Sequence, residues 1–241
     1  MSKHYRITFR LAAPCVFIDR PIFDSILAYA LWREENPTAA QKLSYTDEEV
    51  EAFNAMLREK LPLAWSEHGY PLASLLQFES VNEEIAYKRK KWDAQHDSYA
   101  DFGKHKRQVR VNGGQYKSYE LPRVTNIFAS PHKTLPFSQF GHVWFDFVSG
   151  DVVRVRELLD GYVAGIGKDV QQGKGRWSEY CIEEIAEPFV PCMMRPVPES
   201  SMTKEELTAL LNAGRKVSTR LMAWRPPYWD ARQAVVCVLA E

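Results

Sequence analysis

Three features of the sequence predict an α+β fold: segments of helical and strand period alternate along the chain, a basic arm interrupts them, and a glycine-rich stretch joins a helix to a strand. In order they read strand, helix, inserted arm, strand, helix, glycine loop, strand. That is the order of a ferredoxin-like (RRM-like) sandwich carrying a long insertion, within a single domain spanning residues 1–241.

The run Tyr5-Arg-Ile-Thr-Phe-Arg-Leu-Ala alternates large apolar with polar residues and predicts a half-buried first strand, ended by Pro14. Phe23, Ile26, Leu27, Ala30 and Leu31 then recur at helical spacing, with Pro21 or Asp24 near the start of the helix and Asn36-Pro37 breaking it. Thr46 and Glu49 form a capping box that opens a second helix, expected as an insertion over residues 34–71. Residues 72–123 form a basic, thumb-like arm: 72–78 and 85–92 have strand character, and 107–119 alternate around Gly113-Gly114, a turn or bulge. Residues 142–148 predict a strong strand, 152–159 a short amphipathic helix and 177–185 another strand. Beyond them, 186–241 form an extension. Its 191–201 segment is irregular, Thr203 and Glu206 cap a helix with Leu207, Leu210 and Leu211, Gly214 stops it, and strands 217–224 and 235–239 flank Arg225-Pro-Pro-Tyr-Trp229.

Composition sets the limits on function. With 241 residues, 45% apolar and 26% charged, the chain can bury a core and carries no sign of wholesale disorder. No apolar run approaches the roughly 18 residues of a membrane helix, and Met1-Ser-Lys-His-Tyr-Arg leads straight into strand pattern, so a cytoplasmic protein without membrane contact is expected. Cys15, Cys181, Cys192 and Cys237 are scattered without metal spacing and predict four buried, reduced thiols. Asp146, Glu157 and the acidic helix from Thr46 offer no paired carboxylates at metal-ligand spacing, so neither a metal nor any other cofactor is expected. The net charge is zero but unevenly placed. Between Glu34 and Glu59 seven acids face two bases, whereas between Lys88 and Lys117 nine bases face three acids. Such asymmetry fits one anion-binding face; it also fits a hairpin whose lysines guard its edges.

The stretch Gly165-Ile-Gly167-Lys168-Asp169-Val-Gln-Gln-Gly173-Lys174-Gly175-Arg176-Trp177 is the sharpest motif. Glycines bring backbone close to a ligand, and Lys168, Lys174 and Arg176 supply countercharge to phosphate. A dinucleotide fingerprint needs its glycines after a strand and before a helix, the reverse of this order. A Walker loop needs Ser or Thr after its lysine, and neither Lys168 nor Lys174 has one.

In its helix-loop-strand setting this stretch resembles the glycine-rich loop of the RAMP superfamily of CRISPR RNA-binding proteins. Tyr5-Arg-Ile-Thr-Phe-Arg-Leu, Pro14 and Pro21-Ile-Phe-Asp-Ser-Ile-Leu-Ala-Tyr-Ala are similar to that superfamily's opening strand and helix. Together with Trp224-Arg-Pro-Pro-Tyr-Trp229, they resemble the RAMP subunit of type IV CRISPR effectors that caps the five-prime handle of the guide RNA. The resemblance covers both ends and the loop, and is weak between Asn36 and Tyr99. It implies a RAMP core with a β-hairpin thumb and a non-catalytic role in a ribonucleoprotein that defends against foreign DNA such as plasmids. The implied partners are the guide RNA handle, a filament-forming RAMP backbone subunit, a large subunit, target DNA through the complex, and a helicase recruited to it. Gly165, Gly167, Lys168, Gly173, Lys174, Gly175 and Arg176 would face RNA backbone. Trp177 either stacks on a base or anchors its strand, and Arg20 either meets a phosphate or pairs with Asp19 or Asp24. On the arm, Lys88, Arg89, Lys90, Lys91, Arg107, Arg110, Tyr116 and Lys117 are candidate RNA contacts, interleaved with Tyr87, Trp92, Tyr99 and Tyr119. Gln139 and Asn112 are further candidates for reading a motif beside the target.

Two other classes stay open at the level of residues. A metal-independent endoribonuclease would draw on His68, His96, His105, His132, Tyr116 or Lys117 for proton transfer and oxyanion stabilisation. A general single-stranded nucleic-acid module would bind with strong salt dependence and little sequence preference.

Overall fold

The computed structural model describes residues 2–17, 20–38, 46–78, 82–83, 87–88, 106–110, 116–120, 132–133, 137–139, 141–167, 170–226, 228 and 234–240. The chain divides into two compact units, one of residues 1–82 with 138–241, the other of residues 83–137.

The first unit is α+β with antiparallel sheets. Its strand β1 (Lys3–Leu11) is followed by β2 (Cys15–Phe17), helix α1 (Phe23–Glu35), helix α2 (Asp47–Lys60) and β3 (Gln77–Phe78). The chain leaves this unit within β4 (Asn82–Glu83) and rejoins it within β9 (Phe137–Gln139). Next come β10 (His142–Ser149), α3 (Val152–Tyr162) and β11 (Trp177–Glu184). The four-stranded sheet has the order β11-β1-β10-β3 with every neighbour antiparallel, and its strands are linked through α1 and α3 as two β-α-β halves, an arrangement compatible with a ferredoxin-like core.

Strand period explains the core. Ile7, Phe9 and Leu11 on β1 and Val143, Phe145 and Phe147 on β10 are all buried, on the face that meets α1. The Phe23 ring lies 5.1 Å from Phe145 and 5.0 Å from Phe147, and Leu27, Leu31, Val155, Leu158 and Leu159 complete the layer. The opposite face is polar. There Arg6 makes a bidentate pair with Asp146 at 2.7 and 3.0 Å and lies 5.6 Å over Trp144, while Arg10 pairs with Glu179 at 2.9 Å. Cys181 is exposed on this face, opposite Thr8, so only three of the four thiols are buried: the outward parity of β11 puts Cys181 in solvent.

Residues 72–78 form a ladder only at β3. The rest of the segment divides its amides among four neighbours: Leu72 N–H donates to Ala64 O, Ser74 N–H to Asp146 O, Leu75 N–H to Met194 O and Leu76 N–H to Pro21 O, each at 2.8 Å. A second three-stranded sheet, β12 (Val197–Pro198), β14 (Ala234–Ala240) and β13 (Val217–Ala223) in that order, packs with α4 (Pro191–Met194) and α5 (Lys204–Asn212) around Tyr70, Cys192, Val197, Leu210 and Val238. Both capping boxes exist: the Thr46 and Thr203 hydroxyls accept from the N–H groups of Glu49 and Glu206, whose carboxylates reach back. The 191–201 segment is more ordered than its prolines suggest, holding α4, β12 and a 3-10 turn at Glu199–Ser201.

In the second unit β5 (Tyr87–Lys88) pairs with β8 (His132–Lys133), and β6 (Lys106–Arg110) pairs with β7 (Tyr116–Glu120) as an antiparallel hairpin. Among the described residues no helix is long and apolar enough to cross a membrane.

Candidate nucleic-acid interface

The glycine loop is held at its base by backbone. After α3 ends, buried Ile166 donates its N–H to Gly175 O at 2.9 Å, and its own carbonyl accepts from the Cys15 thiol at 3.2 Å. Gly175 N–H donates to Pro14 O at 2.9 Å, and the N–H groups of Ala12 and Ala13 both donate to Arg176 O. The loop is thereby fixed to the turn between β1 and β2. Burial pushes the Cys15 thiol up to about 12, so at neutral pH it is an uncharged packing group.

Two of the glycines answer to this packing. A Cβ at Gly175, where φ is +63°, would lie 1.8 Å from the Ile166 carbonyl oxygen; one at Gly165 would lie 2.9 Å from Val170 and 3.0 Å from Gly175 O. Gly167 and Gly173 differ: both have positive φ, 90° and 86°, and a Cβ at Gly173 would meet nothing within 4 Å. Between them a 3-10 turn, Val170–Gln172, is closed by Gly173 N–H donating to Val170 O. Lys174 and Arg176 are exposed on this rim and have no ion-pair partner among the described residues.

Beside the rim lies a cleft of about 400 Å³ lined by Leu159, Asp160, Val163, Ala164, Arg176 and Trp177. Trp177 is half-buried: its ring packs 4.9 Å from Phe9 and 6.5 Å from Tyr180, and the same residue lines the cleft. It therefore anchors its strand and borders open space at once. The Tyr180 hydroxyl donates to Asp160 at 2.8 Å; burial, with Asp160 as acceptor and neighbouring charge, pushes the phenol up to about 12. The Arg156 guanidinium lies 5.9 Å from the Tyr180 ring.

The remaining candidates are spread over the chain. Arg20 is exposed, its guanidinium 5.1 Å over the Phe78 ring; Asp24 is committed to other partners, and Asp19 lies outside the described residues. Arg89, Lys90, Lys91 and Lys168 also lie outside them, as do His96, His105 and Asn112. In the second unit the backbone register pairs Lys88 with His132, Arg107 with Tyr119, Arg110 with Tyr116 and Lys117 with Val109.

Among the described residues the most connected charged cluster is one that sequence reasoning did not single out. Arg195 and Asp24 have fully buried side chains 3.1 Å apart, and the Tyr228 hydroxyl donates to Asp24 at 2.7 Å. Arg195 also donates to the carbonyls of Pro71, Pro196 and Trp224, and stacks 4.8 Å from the Tyr70 ring. Burial and the Asp24 charge hold the Tyr228 phenol well above its ordinary range. The cluster ties the start of α1 to the Trp224–Tyr228 segment. Its signal in the sequence is that Arg195 is the only charge between Glu187 and Glu199, a run too apolar to hold a solvated arginine without cause.

Among the described residues no three of His, Cys, Asp and Glu gather to hold a metal ion. No curated protein matches the chain. The family model for the CRISPR type IV associated protein Csf3 matches residues 3–240, nearly the whole length, and the chain belongs to that family.

Proposed function

We propose that the chain is a non-catalytic guide-RNA-binding subunit of the RAMP superfamily that caps the five-prime handle of CRISPR RNA in a type IV ribonucleoprotein. The observation that carries this reading is the glycine loop, in which a backbone-anchored base supports a rim with two exposed cations that no acid neutralises among the described residues. A loop whose backbone is already held at its base suits a polyanionic partner, because only the exposed side chains are left to order when the phosphate arrives. Membership of a type IV CRISPR-associated family supports guide RNA as that polyanion.

The action is positioning. The rim at Lys174 and Arg176, with Lys168 from the same stretch, holds phosphates of the handle, and the basic hairpin supplies a thumb whose Arg107, Arg110, Tyr116 and Lys117 contact unpaired RNA. The other surfaces meet a filament-forming RAMP backbone subunit and a large subunit; the assembled particle engages target DNA and a helicase, and works in the cytoplasm. The open face of the four-stranded sheet is a poor rival for RNA, since Arg6 and Arg10 are already paired with Asp146 and Glu179.

The test is guide-RNA retention in the assembled complex carrying Lys174→Ala with Arg176→Ala. A short RNA of uniform five-prime end should co-purify with the parent and be depleted from the variant; undiminished retention would remove the loop from the interface. Incubating the purified chain with labelled repeat RNA in EDTA separates capping from cleavage. Site-specific cutting abolished by His105→Ala or Tyr116→Phe would make the protein a ribonuclease.

A further inference from the structure

The cleft beside Trp177 combines three features that few ligands can satisfy together. Trp177 lines it, its ring already packed against Phe9 and Tyr180 before any ligand arrives, and Leu159, Val163 and Ala164 complete the apolar part of the lining. Asp160 accepts the Tyr180 hydroxyl through Oδ1, leaving Oδ2 without a partner among the described residues. Arg176, exposed on the loop rim, also lines the cleft and brings the opposite charge. An inorganic anion would be drawn to Arg176 but repelled by Asp160, and a simple cation the reverse. An aliphatic ligand would leave both charges unanswered. A nucleotide brings a flat ring, an amine donor and a phosphate.

We infer that this cleft holds one nucleotide whose base carries an exocyclic amino group, as adenine, cytosine and guanine do: the ring lies along Trp177, the amine donates to Asp160, and the phosphate meets Arg176. Uracil has no exocyclic amine, and its one base-edge donor, N3–H, is flanked by two carbonyl oxygens that a carboxylate repels, so it is disfavoured. The inference rests on the reading that the glycine loop meets RNA, and adds that one position of that RNA is read by its base. About 400 Å³ gives room for a single base with part of its sugar, not for a duplex.

The test uses the full chain and fluorescein-labelled pentanucleotides A5, C5 and U5, with affinity read by anisotropy at fixed salt. The parent should bind A5 and C5 about tenfold more tightly than U5. Asp160→Asn keeps an oxygen for Tyr180 and offers an amide N–H₂ to the ligand, so it should move the preference toward U5. Trp177→Leu should weaken all three by roughly tenfold. Equal affinity of the parent for the three RNAs, or an unchanged preference in Asp160→Asn, overturns the inference. If the RNAs bind equally and only Lys174→Ala with Arg176→Ala weakens them, the cleft assignment falls and the loop reading stands; if none binds, both fall.

Discussion

Arg195 is enclosed by Asp24, Tyr228, the Tyr70 ring and three backbone carbonyls, whereas Arg176 stands at the edge of an open cleft with no ion-pair partner among the described residues. The same side chain is used in one place to close the structure and in the other to leave a charge available. In a buried arginine every donor must be answered, since each unmet one costs its full desolvation. An exposed one contributes little to folding and keeps its charge for an anion. The glycine loop repeats the contrast on a smaller scale, with Gly175 wedged against Ile166 and Gly173 facing open space.

Replacing each arginine should separate these roles. Arg195→Ala leaves the Asp24 carboxylate buried and unpaired and should cost about 3–5 kcal/mol, measured by urea unfolding; a loss below 1 kcal/mol would mean that the cluster does not hold the fold. Gly175→Ala combines positive φ with a backbone collision and should cost on the order of 3 kcal/mol. Gly173→Ala should cost only about 1 kcal/mol, the strain of positive φ alone. Equal penalties would erase the distinction between base and rim.

Alkaline stability tests the base of the loop through Cys15. Its folded pKa, about 12, lies above the ordinary thiol value of 9.0, so the stability it contributes is complete below pH 9 and is lost as pH rises toward 12. Between those limits the parent should lose about 1.4 kcal/mol per pH unit more than Cys15→Ala; parallel profiles would show that the thiol is not sealed. Smaller again, Thr203→Ala removes one capping hydrogen bond and should cost about 1 kcal/mol in the same assay, against no change if the helix is held by packing alone. Least of all, Arg176→Ala should shift stability by less than about 0.5 kcal/mol.

How much of this was legible depended on whether the signal was local. The β1 alternation, the α1 and α3 periods and both Thr…Glu capping boxes are local patterns, and each element lies where its pattern placed it, within a few residues at the ends. What failed to show was set by distant neighbours. Residues 72–78 have strand composition, yet their hydrogen bonds go to Ala64, to β10, to Pro21 and to Met194, which no local period announces. Cys181 looks like any apolar strand residue until the register puts it opposite Thr8 on the polar face. Asp24 looks like a helix-start acid, and only the fold brings it to Arg195 and Tyr228. At the site, the charged rim was legible because glycine and lysine declare a loop. The cleft was not, since it joins the end of α3 to the start of β11.

The central claim, that the loop rim holds RNA phosphates, is tested most directly by the salt dependence of binding to a handle-bearing RNA, for the parent chain and for Lys174→Ala with Arg176→Ala. Losing two phosphate contacts should lower the slope of log K against log salt by about 1.4 and leave the unfolding midpoint unchanged. An identical slope and affinity in the two proteins would contradict the account.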